Sequence, residues 1–361
     1  MMKLTSPTER PIPPVSFGRI WLVALLVGIA AFSVWETYWR GQQFRPSYRN
    51  SAGLWAMARR AVDRQNGEGT IVIGSSRALF DLDLETWKRM TGQRPIQLAL
   101  EGTNPRPILA HLADESGFHG LLVVGVTPPL FFMNGAGFRG DALERYRNES
   151  PSQWLGQRLS MWALEPYVAS YSFDTALFTV LKRQTWWPAR EGLEAPRRDV
   201  RKLANLRRTR QADLWQKLDN DPTYAALAQS IWLDFLKPPR EMPSPEEAER
   251  QLREVFQEVR ANVETIRARG GEVVFIRCPS RDKFRAAEAG GFPRERFWDV
   301  LLQETDAVGV HFEDYPELQD VRVPEWSHIS ASDKGRFTTA VVEILRQRLE
   351  QRGVHRAELT P

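Results

Sequence analysis

A serine lies directly after a short apolar run, in a position where its hydroxyl could act as a nucleophile. The run from Thr70 to Ile73 reads TIVI, which is typical of a buried β-strand, and Gly74, Ser75 and Ser76 follow it. Parallel sheets bind ligands at the carboxyl ends of their strands, and the backbone amides beyond such a strand can face an anion. Ser76 is therefore a candidate nucleophile for acyl transfer. The structural alternative is a turn serine that caps its own backbone.

An acid and an imidazole stand three residues apart near the end of the chain. Glu325 and His328 belong to the segment PEWSH, which directly precedes the last predicted helix. A loop of this length can bring both side chains to one place, where the carboxylate fixes the tautomer that lets the imidazole accept a proton. The pair predicts a general base, with Glu325 orienting His328.

The other histidines and the single cysteine are interpreted as structural or surface residues. Cys278 excludes an intramolecular disulfide and a cysteine-based metal cluster, and its place at the end of a strand favours packing over chemistry. No paired histidine or cysteine motif is present, so neither a metal site nor a cofactor is predicted. The histidines interpreted in this way are His111, His119, His311 and His355.

The elements that would position these residues alternate between strands and helices. Further strands are predicted at Ile96 to Leu100, Leu121 to Val126, Glu272 to Arg277 and near 309–312. This alternation predicts an α/β fold of three layers, in which helices cover both faces of a parallel sheet.

Helix ends are marked by residues with clear capping chemistry. Asp83 is a good N-cap for a helix through Met90 that stops at Gly92. Ser244 opens a capping box for a helix through Arg269. Further helices are predicted at 52–65, 105–116, 294–305 and 333–351.

An uncharged apolar run near the N-terminus predicts a membrane anchor. Ile20 to Trp35 is slightly shorter than the roughly 20 residues that cross a bilayer, but Arg19 can snorkel, while Tyr38 and Trp39 suit the opposite headgroups. A buried core helix and a cleaved signal peptide are the alternatives, and the long leader and aromatic flank favour a retained anchor. Positive charges are balanced on the two sides, so the charge pattern gives no orientation.

The pattern changes between 141 and 243, where helical periodicity and tryptophans dominate and strand signals fade. We interpret this region as a helical insertion. Between Lys182 and Arg210 it carries ten Lys or Arg against three acids, a face suited to anionic polymers, lipid headgroups or water rather than nucleic acid.

The predicted divisions are a leader (1–19), an anchor (20–39), a linker and helix (40–69), two parts of one α/β domain (70–140 and 244–352), the insertion (141–243) and a tail (353–361).

The two motifs together resemble the SGNH or GDSL hydrolases. Their first block, a strand ending Gly-Asp-Ser, is similar to Gly74-Ser75-Ser76, and their last block, Asp-x-x-His before a terminal helix, is similar to Glu325-Trp326-Ser327-His328. The resemblance implies a flavodoxin-like three-layer fold with Ser76 as nucleophile and His328 as base. It covers about 70–140 and 245–350 and leaves the insertion unexplained.

The resemblance also implies an oxyanion hole, with one departure. Gly102 after the second strand fits the block that contributes a backbone amide, but Gly-Val-Thr-Pro replaces the third block, whose asparagine is a further donor. Thr127 or Asn104 could supply that hydrogen bond. Arg77 could hold an anionic sugar, or could equally form a buried ion pair.

Relaxed first blocks of this kind occur in a membrane-anchored branch of the family that acts on cell-envelope polymers. The resemblance implies a serine esterase or O-acyltransferase for a polysaccharide, in the bacterial inner membrane with its domain facing the periplasm or cell exterior. A non-catalytic scaffold or carbohydrate-binding subunit of a polysaccharide secretion machine is the alternative, favoured by the missing asparagine. The acyl donor, the polymer and the oligomeric state are left open.

Overall fold

A computed structural model describes residues 16–135, 137–184, 202–236 and 243–360 of the chain. Within these ranges the strands are β1 Thr70–Ile73, β2 Ile96–Gln97, β3 Leu121–Gly125, β4 Ala204–Leu206, β5 Ala212–Leu214, β6 Glu272–Arg277 and β7 Val308–His311. The helices are α1 Phe17–Gly41, α2 Ala52–Arg64, α3 Ser76–Asp81, α4 Leu84–Thr91, α5 Arg106–Asp114, α6 Pro128–Phe132, α7 Gly140–Asn148, α8 Pro151–Ala163, α9 Leu177–Lys182, α10 Gln216–Asn220, α11 Pro222–Phe235, α12 Pro245–Ala268, α13 Asp282–Gly291, α14 Arg294–Thr305, α15 Pro316–Gln319 and α16 Lys334–Gln351. Short 3₁₀ turns occupy Ala169–Tyr171, Phe312–Asp314 and Ala357–Leu359.

Five strands form one parallel sheet in the order β2-β1-β3-β6-β7. The α/β fold with a parallel sheet, predicted from alternating strands and helices, is thus confirmed. Numbered within this sheet alone, the order is 2-1-3-4-5, and its direction of winding reverses between β1 and β3. Crevices at such reversals, outside the carboxyl ends of the strands, are where open α/β sheets bind ligands.

Alternate side chains of the sheet enter two separate hydrophobic clusters. Ile71 and Ile73 of β1 join one cluster with side chains of α2, α5, α12 and α14, whereas Val72 joins the other with α3, α4, α11 and α16. Because successive side chains of a strand point to opposite faces, each face of the sheet is covered by helices.

The predicted helix caps are present with one difference. The Asp83 carboxylate accepts the Thr86 N–H at 2.6 Å, and Gly92 ends α4 in the left-handed conformation. Ser244 accepts the Glu247 N–H at 3.2 Å, but the Glu247 side chain contacts Arg250 and Gln251 instead of returning to the cap. Only half of the expected capping box therefore forms.

The insertion contains strands that the sequence pattern did not indicate. Besides helices α7 to α11, it holds an antiparallel hairpin of β4 and β5. Arg210 in the turn of this hairpin is fully buried and donates to the carbonyls of Gln97 at 2.9 Å and Ala99 at 2.7 Å. These contacts attach the hairpin to the chain at β2, more than 100 residues earlier, which local periodicity cannot reveal.

Helix α1 is long and apolar enough to span a membrane. Its most apolar window has a mean hydropathy of 2.1, and none of that window is buried in the protein. Its C-terminal end, by contrast, packs on the rest of the fold, because Trp39 is 3% exposed and belongs to a buried cluster with Ala169 and Trp215. Helix α1 therefore leads directly into the folded part of the chain.

Candidate functional site

Ser76 begins helix α3 at the reversal point of the sheet. Strand β1 ends at Ile73, and Gly74 turns the chain with a φ of 151°. A Cβ atom at Gly74 would lie 2.5 Å from that of Ala78, so this tight strand-to-helix turn requires glycine. Ser76 is partly exposed, which leaves it within reach of a ligand.

The neighbouring serine joins the ends of two central strands. The Ser75 and Thr127 hydroxyl oxygens are 2.5 Å apart, and both residues are buried. Ser75 follows β1 and Thr127 follows β3. This hydrogen bond therefore links the carboxyl ends of two adjacent strands, next to Ser76. The Thr127 hydroxyl, expected from the sequence as an oxyanion donor, is hydrogen-bonded to Ser75, and either hydroxyl can be the donor.

Glu325 and His328 form the acid and imidazole pair that their spacing predicted. The Glu325 Oε1 atom lies 2.9 Å from His328 Nδ1 and accepts the His328 backbone N–H at 2.6 Å. Between them Trp326 has a φ of 73°, a left-handed conformation that is costly for a bulky residue. This turn lets the Glu325 side chain fold back onto the imidazole that it orients.

The second oxygen of Glu325 is also engaged. The indole N–H of Trp232 donates to Glu325 Oε2, and Glu325 is fully buried. Since the backbone and indole N–H groups can only donate, Glu325 acts as an acceptor, and Nδ1 of His328 carries the proton that it receives. His328 Nε2 is then a free acceptor, and it is buried without a hydrogen-bond partner among the described residues.

The loop that carries His328 lies along helix α3. The His328 ring packs 4.6 Å from that of Phe80, the Ser327 hydroxyl accepts from Arg77 Nε at 3.4 Å, and the Ile329 N–H donates to Asp81 at 2.9 Å. Phe80 stands one helical turn after Ser76, on the same side of the helix. His328 thus packs against Phe80, one helical turn from Ser76, and no hydrogen bond joins Ser76 to His328 in the part of the chain described.

Asp81 is a second buried carboxyl beside the imidazole. Burial raises the pKa of Asp81 to about 7, against the lowering effect of His328 and of the Ile329 N–H. Its Oδ2 atom has no hydrogen-bond partner among the described residues. The same burial, with Asp81 adjacent, raises the pKa of the Cys278 thiol well above its usual value, which suits the packing role expected for this cysteine.

The remaining oxyanion candidates lie in the loop after β2. Gly102 has a φ of 58°, and no atom lies within 4 Å of the Cβ that a side chain would add, so its backbone borders open space. Asn104 accepts the Arg106 N–H through Oδ1 at 3.0 Å, and its side-chain nitrogen makes no hydrogen bond within the described ranges.

Arg77 lies in a buried ion pair, which was one of the two roles expected for it from the sequence. It is 2% exposed, and its Nη2 atom lies 2.8 Å from Glu288 Oε1, a contact of opposite charges without hydrogen-bond geometry. Burial alone would raise the pKa of Glu288, but Arg277 and Arg77 lower it to about 2. Arg77 is therefore a buried cation beside Glu288, as the ion-pair alternative expected, and contact with an anionic sugar stays a prediction.

The structure describes six of the ten basic residues predicted to form a cluster between Lys182 and Arg210, and two of these six, Lys202 and Arg210, are buried. Burial lowers the pKa of Lys202 to about 8 and that of Arg210 to about 9. The Lys202 ammonium lies 5.1 Å from the centre of the Phe44 ring. These two residues support the fold instead of presenting charge to a partner.

A cavity of about 600 Å³ is lined by residues from helix α3, from the segment 47–52 and from the insertion. Phe80, Glu101, Arg139, Phe173 and Lys202 are among its lining residues. A cavity of about 700 Å³ lies at the amino ends of β1 and β2, where none of the candidate residues stands. The 600 Å³ cavity is connected to the site through Phe80, whose ring packs against that of His328, but neither cavity is lined by Ser76, Glu325 or His328.

Sequence reasoning missed the residues that hold the imidazole from other elements. Trp232 comes from helix α11 of the insertion, and Phe80 and Asp81 end helix α3. The sequence showed only that tryptophans are frequent in the insertion.

Comparison with models of protein families and with curated protein sequences finds no match to this chain.

Proposed function

We propose that this chain is a membrane-anchored serine esterase or O-acyltransferase of the SGNH type, with Ser76 as nucleophile, His328 as base and Glu325 as the orienting acid. One observation carries the proposal. A histidine held by a buried carboxylate keeps an unpartnered Nε2, and its loop packs on the helix that Ser76 begins at the sheet reversal. Most buried polar atoms are hydrogen-bonded, so an unpartnered Nε2 on a ring oriented by a carboxylate fits a nitrogen that accepts a proton during a reaction.

In the proposed mechanism, His328 Nε2 takes the hydroxyl proton as Ser76 Oγ attacks an ester carbonyl. The tetrahedral intermediate collapses when the C–O bond to the alcohol breaks, and the His328 imidazolium returns its proton to that leaving oxygen. The acyl group then remains on Ser76. Water as second nucleophile gives hydrolysis, whereas a sugar hydroxyl gives acyl transfer, with His328 again accepting the proton.

The oxyanion would be met by the backbone amides of Ser76 and Gly102. A further hydrogen bond to the oxyanion from a side chain can increase the rate by about 10² to 10³. The candidate side-chain donors are Asn104, whose nitrogen makes no hydrogen bond in the described ranges, and Thr127, if Ser75 is the donor in the hydrogen bond between their hydroxyls. Either residue would then replace the missing asparagine of the third block.

The membrane placement follows from the same family resemblance and from helix α1. We propose a single-pass protein of a bacterial inner membrane, with the short leader in the cytoplasm and the domain facing outward, where acylated polysaccharides are found. A reporter enzyme fused after Pro361 should be active only outside the cytoplasm. Activity confined to the cytoplasm would contradict this orientation.

The proposal is tested by hydrolysis of an aryl acetate by the full chain in detergent. Ser76→Ala and His328→Ala should each reduce hydrolysis to the uncatalysed background, while His355→Ala, in the exposed tail, should leave it unchanged. Ser75→Ala should retain measurable hydrolysis, which would separate the two adjacent serines. Hydrolysis that is equal in the wild type and in Ser76→Ala would refute the proposed nucleophile.

A non-catalytic scaffold or carbohydrate-binding subunit is the second candidate. It is favoured by the absence of a Ser76–His328 hydrogen bond among the described residues and by the replacement of the third-block asparagine. A folded wild-type chain that hydrolyses no acetyl ester, yet is retained on a polysaccharide matrix, would support this second function over the first.

A further inference from the structure

Helices α8 and α9 of the insertion expose a set of large apolar side chains. Trp162 is 75% exposed and Phe178 is 77% exposed, and both lie among other exposed leucines. Single exposed apolar residues are ordinary on a soluble surface, whereas a contiguous set marks an interaction surface. We name as the apolar surface of the insertion Leu155, Leu159 and Trp162 on α8 with Leu177, Phe178 and Leu181 on α9.

The spacing of these residues gives each helix one apolar side. Leu155, Leu159 and Trp162 follow one another at four and three residues, and they therefore share a face of α8. The opposite side of α8 carries Met161, which is buried in the core. Leu177, Phe178 and Leu181 likewise share one face of α9.

The segment between these two helices is hydrogen-bonded to the end of the anchor helix. The Glu36 carboxylate accepts the N–H groups of Ala169 and Ser170, both at 2.9 Å, and Arg40 donates to the Tyr167 carbonyl at 2.6 Å. Residues 167–170 connect α8 to the segment before α9. Both helices are therefore attached to the last turns of α1.

The composition of α1 indicates how deep its last turns lie in the membrane. The helix is uncharged from Ile20 to Trp35, and its first charges after that run are Glu36 and Arg40. Charged residues at the end of such a run lie at the headgroup level, together with aromatic residues such as Tyr38. The segments that bond to Glu36 and Arg40 must then lie at the same level.

The composition of the two helices fits that location. Neither α8 nor α9 contains an acidic residue. Arg158 lies over the Trp154 ring at 3.7 Å, and Lys182 ends α9. Aromatic and aliphatic side chains beside lysine or arginine, without acids, are typical of helices that lie in the interface of a membrane with anionic lipids.

We infer that the apolar surface of the insertion lies in the lipid interface, as a second membrane contact beside the spanning helix. This inference rests on the membrane anchor proposed above. The inference also places the cavity next to helix α3 relative to the membrane. Phe173 lines that cavity and belongs to the segment between Tyr167 and α9. The cavity would open close to the membrane surface.

The test uses nitroxide labels on single cysteines in the full chain, reconstituted into vesicles of phosphatidylcholine and phosphatidylglycerol. Cys278→Ala provides the background, and labels are placed by Trp162→Cys and Phe178→Cys. Val27→Cys in α1 and Arg253→Cys on exposed α12 are the lipid and water references. Collision with oxygen, which partitions into lipid, is compared with collision with a water-soluble nickel complex.

We expect oxygen collisions to exceed nickel collisions at positions 162, 178 and 27, and the reverse at 253. Nickel-accessible labels at 162 and 178 beside a lipid-exposed label at 27 would overturn this inference while retaining the anchor. A nickel-accessible label at 27 would overturn both. Labels at 162 and 178 that are shielded from both reagents and broadened by spin–spin contact would overturn it in favour of a second copy of the chain.

Discussion

The Glu325 Oε1 atom receives two hydrogen bonds from His328, one from the ring Nδ1 at 2.9 Å and one from the backbone N–H at 2.6 Å. One carboxylate oxygen thereby fixes both the position and the tautomer of the imidazole. The buried Nε2 atom keeps its lone pair available. This relationship gives Glu325 a role that depends on its charge as well as its shape.

Replacing Glu325 by glutamine should therefore reduce activity strongly while the fold survives. An amide cannot stabilise the imidazolium, and it can reverse the tautomer, a change that costs up to about 10⁴ in rate in a serine triad. We expect kcat/KM for aryl acetate hydrolysis to fall by about 10² to 10⁴. The matched control is Glu343→Gln on the exposed side of α16, and an equal effect of both substitutions would contradict the role of Glu325.

The hydrogen bond between Ser75 and Thr127 should be visible as a coupling free energy. Either Ser75→Ala or Thr127→Val leaves one buried hydroxyl unpaired, at a cost of about 1 to 3 kcal/mol in the free energy of unfolding. The double variant should be destabilised by less than the sum of the single variants. Urea unfolding in detergent measures all four proteins, and additive effects would show that the two hydroxyls do not interact.

Asp81 should make the stability of the protein depend on pH. Burial raises its pKa from 3.8 to about 7 in the folded state, so between about pH 4 and pH 7 the folded protein holds a proton that the unfolded chain has released. Stability must then fall as pH rises through this window, by at most about 1.4 kcal/mol per pH unit from this group.

The Asp81→Asn variant isolates this contribution. Asparagine retains an oxygen for the Ile329 N–H but does not titrate, so the free energy of unfolding should decline less between pH 4 and pH 7 than in the wild type. Asp320→Asn, at an exposed carboxylate, is the control. A slope that is the same in the Asp81 variant and the wild type would show that Asp81 is already ionised in the folded protein.

Cys278 should be inert in the folded protein. Burial raises its pKa well above the usual value, and alkylation requires the thiolate. We expect iodoacetamide at pH 8 to leave the native chain unmodified and to alkylate the same chain in urea, as measured by intact mass. Rapid modification of the native protein would place this thiol at an accessible site.

The parallel sheet was predictable because its signals are local. The β-branched and aliphatic runs at β1, β3 and β6 are too apolar for an exposed position, and Asp83 and Gly92 mark the ends of α4 through contacts within a few residues. The pairing of Glu325 with His328 was predictable for the same reason, since the two residues are three positions apart.

The contacts that complete the site were not predictable, because they join distant parts of the chain. Trp232 reaches Glu325 across 93 positions, and Arg210 holds its hairpin to Ala99 across 111. The burial of Arg77 beside Glu288 depends likewise on the packing of α3 against α13. A sequence pattern shows that such side chains are present but not which partner each one finds.

The most direct test of Ser76 as the nucleophile is covalent labelling of the full chain with a fluorophosphonate, followed by peptide mass spectrometry. If His328 activates Ser76, the adduct should be found on Ser76, and labelling should be lost in both Ser76→Ala and His328→Ala while persisting in His355→Ala. An adduct on another residue, or no adduct on a folded wild-type chain, would contradict a catalytic Ser76.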